Sequence, residues 1–416
     1  MNTLRLLVFC MLIPGIAKAQ TFVANYDESR VPPYTLPELL QGKDGMTVVN
    51  TGDWEAFRRG EILSDFASAM YGKVPDAALP WGVEVLAESR EALDGLAIQK
   101  QIRLVFGTGN GPFMDLLIFI PKSAASAVPV FLGLNFGGNH TVEADTAIPI
   151  TESWLQRPGG EESRGSAARR WPLRKIISAG YGLVTAYYGD LDPDYDDGFQ
   201  NGVHPLFFRP GQAKPADDEW GAIGAWAWGL SRALDYFEKD PDIDAERVVV
   251  MGHSRLGKAA LWAGALDRRF AIVISNNSGC GGAALSRRAF GETVGSINRV
   301  FPHWFCANFK KYNENEAALP VDQHMLMALI APRPLYIASA TDDLWADPKG
   351  EFLAGLLANP VYRLYGKQGL PADIMPGPNQ PMMGTIGYHL RQGEHDVTDY
   401  DWEQYIRFAN LHFGKQ

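Results

Sequence analysis

The hydrophobic pattern of the chain changes character twice. Residues 82–87, 97–106 and 113–120 form strand-like runs, of which the early ones alternate apolar with polar side chains, as half-exposed antiparallel strands do. Gly107-Thr-Gly-Asn-Gly111 and Pro121 separate them. Residues 128–134, Val-Pro-Val-Phe-Leu-Gly-Leu, are apolar throughout, which predicts a strand buried on both faces. Further on, runs of period 3.6 take turns with short apolar runs. Helices are expected over residues 220–238, 255–265, 321–330, 348–357 and 399–413, and strands over 247–251, 270–275 and 335–340. Such alternation predicts a mainly parallel sheet covered by helices on both faces, with antiparallel strands at its N-terminal side. Upstream, residues 21–45 are irregular, and Thr51-Gly-Asp53 reads as the start of a helix over 54–71. Residues 140–215 are polar and rich in Arg, Asp, Gly and Pro, with one apolar run at 182–188. A connection of this length predicts a rim or lid around a site.

Composition narrows the classes. With 416 residues, 46% hydrophobic, and 11 Trp, 15 Tyr and 21 Phe, the chain has ample material for a packed core. A net charge of −10 argues against a nucleic-acid partner. Residues 1–20 carry Arg5, an apolar run from Leu6 to Ile16 and then Ala-Lys-Ala. That is the pattern of a secretory signal cut after Ala19, and the run is too short to span a bilayer. The expectation is therefore a signal peptide over 1–19 and one catalytic domain over 20–416 with a long insertion near 140–215. The product would be secreted or periplasmic, monomeric and without a membrane partner. Of three cysteines, Cys10 falls in the signal, so Cys280 and Cys306 could form at most one bridge. No Cys/His cluster has metal-site spacing, so no metal site is expected.

The segment that carries chemistry is Val248-Val-Val-Met-Gly-His-Ser-Arg-Leu-Gly-Lys-Ala-Ala260. A branched apolar strand runs into Gly252, Ser254 follows, and Gly257 permits close packing of a helix. This strand–turn–helix lifts a serine hydroxyl above the C-terminal edge of the sheet, as the nucleophile elbow of α/β-hydrolases does. The spacing is G-x-S-x-x-G rather than G-x-S-x-G. A serine nucleophile needs a histidine to take its proton and an acid to orient that histidine, in chain order Ser, acid, His. His395, in a loop before the last helix, is the preferred base. His389 reads as a strand end and His412 as a helix residue. Beyond the strand at 335–340, Asp343 is the preferred acid, Asp342 the alternative, and Asp347 before Pro348 a helix cap.

Gly252-His-Ser-Arg-Leu-Gly-Lys258, Ser278-Gly-Cys-Gly-Gly282, His303-Trp-Phe305, Leu319-Pro-Val-Asp-Gln-His324, Ala331-Pro-Arg-Pro334, Asp343-Leu-Trp345 and Gly393-Glu-His395 together resemble the glucuronoyl esterases of carbohydrate esterase family 15, in its bacterial branch. The resemblance runs from about residue 50 to the end. It implies an α/β-hydrolase fold, no cofactor, and cleavage of the ester between (4-O-methyl-)glucuronic acid on xylan and lignin alcohols. It also implies that Ser254 is the nucleophile, His395 the base, Arg255 an oxyanion donor, and Lys258, Glu292 and Trp345 sugar contacts. Taken alone, Arg255 and Lys258 suit an ordinary ion pair, Trp345 a core aromatic and Glu292 a solvated charge. Two positions depart from the fungal pattern. Asn277 stands where fungal members place the triad glutamate, which again directs attention to Asp343. His253 and Asp396 stand where fungal members carry cysteines. Other secreted carbohydrate esterases, acting on acetyl or feruloyl groups, and a non-catalytic polysaccharide binder are the competing readings.

Overall fold

The computed structural model describes residues 22–75, 79–109, 111–157 and 159–415; the expected signal peptide lies outside the described residues. Ten strands form one sheet: β1 Trp81–Glu91, β2 Ala97–Phe106, β3 Phe113–Pro121, β4 Val128–Asn135, β5 Gly182–Tyr187, β6 Ile243–His253, β7 Ile272–Asn276, β8 Leu335–Ala340, β9 Met382–Met383 and β10 Ile386–Arg391. Their order is β1-β2-β3-β5-β4-β6-β7-β8-β10-β9. The block from β5 to β10 is parallel, while β1, β2 and β3 are antiparallel and join it through β3 against β5.

The central strands are mostly apolar where both faces are covered. Val130 and Leu132 of β4, Val248 and Val250 of β6, and Leu335 and Ile337 of β8 point into one core. Phe131, Val249, Met251, Tyr336 and Ala338, one residue out of step, point into the other. That is the two-residue period of a strand used on both sides. Helices α1 Ala222–Phe237, α2 Arg255–Leu266 and α3 Pro348–Leu357 cover the first face with Trp226, Trp262 and Phe352. Helix α4 Asp399–Phe413 covers the second face with Trp402, Tyr405 and Phe408, joined by the short helix Leu173–Ser178. Fully burying side chains of this size stabilises by roughly 1.5–3 kcal/mol each.

The expected long insertion divides. Its apolar run is strand β5, which lies parallel beside β4 and is reached through Leu173–Ser178, so it belongs to the sheet. The described residues of 136–172 and 188–221 remain as two loops. The helix at 51–71 forms, capped by the Asn50 side chain, but it winds as π-helix over Trp54–Arg58 and Ala67–Tyr71. Cys280 and Cys306 are both buried and both free, so the bridge left open by the sequence is not formed.

Candidate active site

Strand β6 ends at His253, and Ser254 occupies φ 57°, ψ −128° before α2 begins at Arg255. A non-glycine residue held there costs of order 1–3 kcal/mol, which the surrounding fold must offset. The reason for glycine at 252 is close approach. A Cβ there would stand 2.0 Å from the Leu256 carbonyl oxygen, and one at Gly257 would stand 3.0 Å from the Gly252 carbonyl. The turn closes Gly252 against residues 256 and 257, so a glycine three places after the serine serves this elbow. The Ser254 amide donates to the Asn276 carbonyl at 2.9 Å and fixes the turn to β7. As the first residue of α2, Arg255 has a backbone N–H without an intrahelical partner.

Asp343 follows β8 and is buried; its Oδ2 lies 2.6 Å from His395 Nδ1 and accepts from Asn277 Nδ2 at 2.7 Å. Burial pushes this carboxyl up, but the His395 and Asn277 hydrogen bonds and the nearby imidazole charge outweigh it, and the net shift is downward. Asn277 lies in the left-handed region at φ 46°, which asparagine tolerates better than most residues. Asp342, the alternative acid, is exposed and accepts from the Thr341 hydroxyl. The alternative histidines lie elsewhere: His389 is fully buried between Tyr336 and Asp401, and His412 bonds the Gly384 carbonyl. Asp347 caps α3, accepting from the Gly350 amide.

The loop bearing His395 is held from both sides. The buried Arg391 guanidinium, paired with Asp401 at 3.0 Å, donates to the carbonyls of Glu394 and Asp396. Asp396 pairs with Arg169 at 2.6 Å and Arg170 at 2.8 Å. The His253 ring packs 4.4 Å from that of His395, centroid to centroid. Burial, with His395 nearby, drives the His253 pKa well down, so its ring is neutral packing. A ring contact and an ion pair thus stand at the two positions where the fungal pattern carries cysteines.

Ser254 and His395 line two connected cavities. The smaller, about 290 Å³, is walled by Lys258, Glu292, Phe301, Trp304 and Trp345. Lys258 Nζ donates to the Ser278 carbonyl at 2.6 Å and lies 3.7 Å from Glu292 Oε2. Burial raises the Glu292 carboxyl despite the Lys258 charge. Glu292 is therefore enclosed rather than solvated, and Trp345, about two-fifths exposed, stands at the rim. The larger cavity, about 800 Å³, is walled by the loop over 136–171, including Leu155, Gln156, Arg157 and Arg170. The structure thus brings Ser254, His395, Asp343, Arg255, Lys258, Glu292 and Trp345 around one space.

The sequence reading missed Asp194. Its buried carboxylate accepts from Arg255 Nη1, from His303 Nε2 at 2.9 Å, from Trp304 Nε1 at 2.7 Å and from the Tyr188 hydroxyl at 3.0 Å. Burial pushes it up, but the His303 bond, the Arg255 charge and the Trp304 bond hold it at about 2. Arg255 lies 4.8 Å above the Trp304 ring, and its Nε has no protein partner. Asp194 lies in an acidic stretch without periodicity, 61 positions from Arg255, and no local pattern marks it. Among the described residues, no group of His, Cys, Asp and Glu is arranged to hold a metal ion.

Comparison with known proteins adds the family. Residues 214–366 match the family model described as glucuronyl esterase, fungi. The 4-O-methyl-glucuronoyl methylesterase of Schizophyllum commune is 40% identical over 355 residues, covering 83% of this chain and 76% of that protein. A solved structure described as a promiscuous family 15 esterase from a marine bacterial metagenome is 53% identical, with a TM-score of 0.89 over 94% of this chain and all of that one. The chain belongs to carbohydrate esterase family 15. The glucuronoyl esterase from Solibacter usitatus, at 50% identity, superposes with a TM-score of 0.90 over 93% of this chain and all of that one. This family 15 member is accordingly a carboxylic ester hydrolase with the α/β-hydrolase fold and a glucuronoyl esterase by family.

Proposed function

We propose that this esterase hydrolyses the ester between (4-O-methyl-)glucuronic acid on xylan and lignin-type alcohols, through an acyl-enzyme on Ser254. The observation that carries the reading is the 2.6 Å bond between Asp343 and His395 Nδ1, with Ser254 on the wall of the same cavity. The Asp343 bond fixes the His395 tautomer, so Nε2 is left to accept the Ser254 proton. Ser254 Oγ then attacks the uronate carbonyl carbon. Arg255 and the backbone N–H groups at the start of α2 stabilise the oxyanion, and Asp194 holds the guanidinium in place. His395 returns the proton to the departing alcohol. In the second half, His395 takes a proton from water, hydroxide adds to the acyl carbon, and Ser254 leaves with that proton. Uronic acid and free Ser254 result.

The smaller cavity suits the uronic acid. Lys258 and Glu292 offer a donor and an acceptor to ring hydroxyls, and the Trp345 face suits a pyranose. The larger cavity takes the alcohol side, where it has room for an aromatic group. We read the enzyme as exported by a leader ending near Ala19, with one catalytic domain over residues 20–416. In support, all ten strands belong to one sheet, and no helix among the described residues is long and apolar enough to cross a membrane. The test is kcat/KM on benzyl glucuronate against acetylated xylan. A site built to bond a uronate ring should favour the glucuronate ester by about 10²-fold or more. A preference for acetylated xylan overturns the substrate assignment.

A further inference from the structure

Beside the catalytic cleft lies a second cavity, of about 380 Å³, walled by Phe113, Ser153, Trp154, Asp190, Tyr195 and Asn201. Trp154 and Tyr195 are each 37% exposed, yet their rings touch, with centroids 4.8 Å apart and planes tilted by 47°. Two large rings left open together on one side of a cavity form an unusual surface, because burying them elsewhere would be favourable. The lining also carries polar groups. Asp190, only 7% exposed, accepts from the Ser153 hydroxyl at 2.6 Å and the Asp115 amide at 3.3 Å. Asn201 Nδ2 donates to the Tyr195 hydroxyl at 3.2 Å and to Asp197 at 2.8 Å. Among the described residues, no lysine or arginine lines the cavity.

We propose that this cavity is a second carbohydrate subsite, which grips neutral xylose units of the polysaccharide whose uronate branch enters the catalytic site. An aromatic pair beside hydroxyl, amide and carboxylate groups matches a pyranose. The C–H face of the sugar packs on the electron-rich ring faces, and its equatorial hydroxyls meet the polar groups. Arg103, stacked 3.8 Å from the Phe113 ring centroid, is committed to Asp115, and Asp190 adds a carboxyl to the wall, so a neutral occupant is favoured over the uronate. Position supports the assignment. Ser153 and Trp154 line this cavity, and the next residues in the chain, Leu155, Gln156 and Arg157, line the catalytic cleft. The strip is anchored where Tyr187 donates its hydroxyl to the Trp154 carbonyl at 2.5 Å. Pro193 and Tyr195, also part of the lining, flank Asp194, which holds Arg255. A xylan chain lying along this wall would keep its branch at the entrance to the cleft. The choice of xylan rests on the proposed substrate, whereas the preference for a neutral pyranoside rests on the cavity alone.

The experiment is calorimetric titration of the full chain with xylohexaose and, separately, with cellohexaose. It uses the wild type, Trp154→Ala, Tyr195→Ala and Trp154→Phe, with unfolding midpoints recorded for each. Each alanine variant should bind xylohexaose about tenfold more weakly, the loss of one ring contact, while Trp154→Phe retains most of the affinity. Equal affinity in wild type and both alanine variants, or no wild-type binding, overturns the subsite. Binding of cellohexaose in preference to xylohexaose overturns the assignment to xylan. Benzyl glucuronate hydrolysis by the wild type is measured alongside. If that activity is absent while xylohexaose binds through Trp154, the esterase reading fails and the subsite stands.

Discussion

Replacing Asp343 by asparagine isolates what the carboxylate charge does. The side chain keeps its shape, and its amide oxygen can still accept from His395 Nδ1 and Asn277 Nδ2, the two bonds now made at 2.6 and 2.7 Å. What disappears is the negative charge opposite an imidazole that, in the proposed mechanism, becomes positive in the transition state. At 2.6 Å, with an effective dielectric of about 20, the attraction is roughly 6 kcal/mol before screening. The His395 side chain is 41% exposed, so solvent reduces this figure. A remaining loss of about 4–5.5 kcal/mol corresponds to a 10³- to 10⁴-fold fall in kcat. The assay is steady-state hydrolysis of benzyl glucuronate by Asp343→Asn and Asp342→Asn, with unfolding midpoints as a control for folding. Asp342 is exposed and bonds Thr341, so its variant should stay within about twofold of the wild type. The reasoning fails if Asp343→Asn keeps more than about a tenth of wild-type kcat, or if Asp342→Asn loses as much.

Two further outcomes follow from buried carboxylates outside the proposed triad. Asp194→Asn frees Arg255 from its anchor while leaving the guanidinium charged, so kcat on benzyl glucuronate should fall by about 10- to 10²-fold with KM little changed; a change confined to KM would contradict the anchoring role. Glu351 is fully buried, accepts from the amides of Ser278 and Gly279 and the Ser339 hydroxyl, and is pushed up to about 8, chiefly by burial. The folded protein therefore holds this proton more tightly than the unfolded chain, whose glutamate titrates near pH 4.3. The contribution to stability is complete below about pH 4 and is lost as pH rises towards 8, by at most about 5 kcal/mol. Glu351→Gln mimics the protonated form, so unfolding midpoints should vary less between about pH 5 and 8 than in the wild type; an unchanged pH dependence would contradict the assignment.

The parts of this molecule legible in sequence are those with local causes. Strand β8 and helices α3 and α4 fall at the expected residues because the apolar period and the caps, Asp347 and Thr398, lie within each segment. The elbow is legible because a close approach of backbone demands glycine at 252 and 257. Strand β5 was hidden in a polar stretch because its single apolar run, flanked by loops, has no period of its own to distinguish strand from insertion. Asp194 and Arg391 were hidden for a different reason. Asp194 acts on a guanidinium 61 positions away, and Arg391 acts on backbone carbonyls, which carry no sequence signature. Asn277 was noticed as the absence of an acid, whereas its role in the structure is to donate a hydrogen bond to Asp343.

The most direct measurement is kcat/KM for benzyl glucuronate in the wild type and in Ser254→Ala, whose side chain keeps the volume of the elbow and lacks only the hydroxyl. The account predicts efficient hydrolysis by the wild type and a loss of about 10⁴-fold or more in the variant. Hydrolysis by Ser254→Ala within about tenfold of the wild type would contradict it.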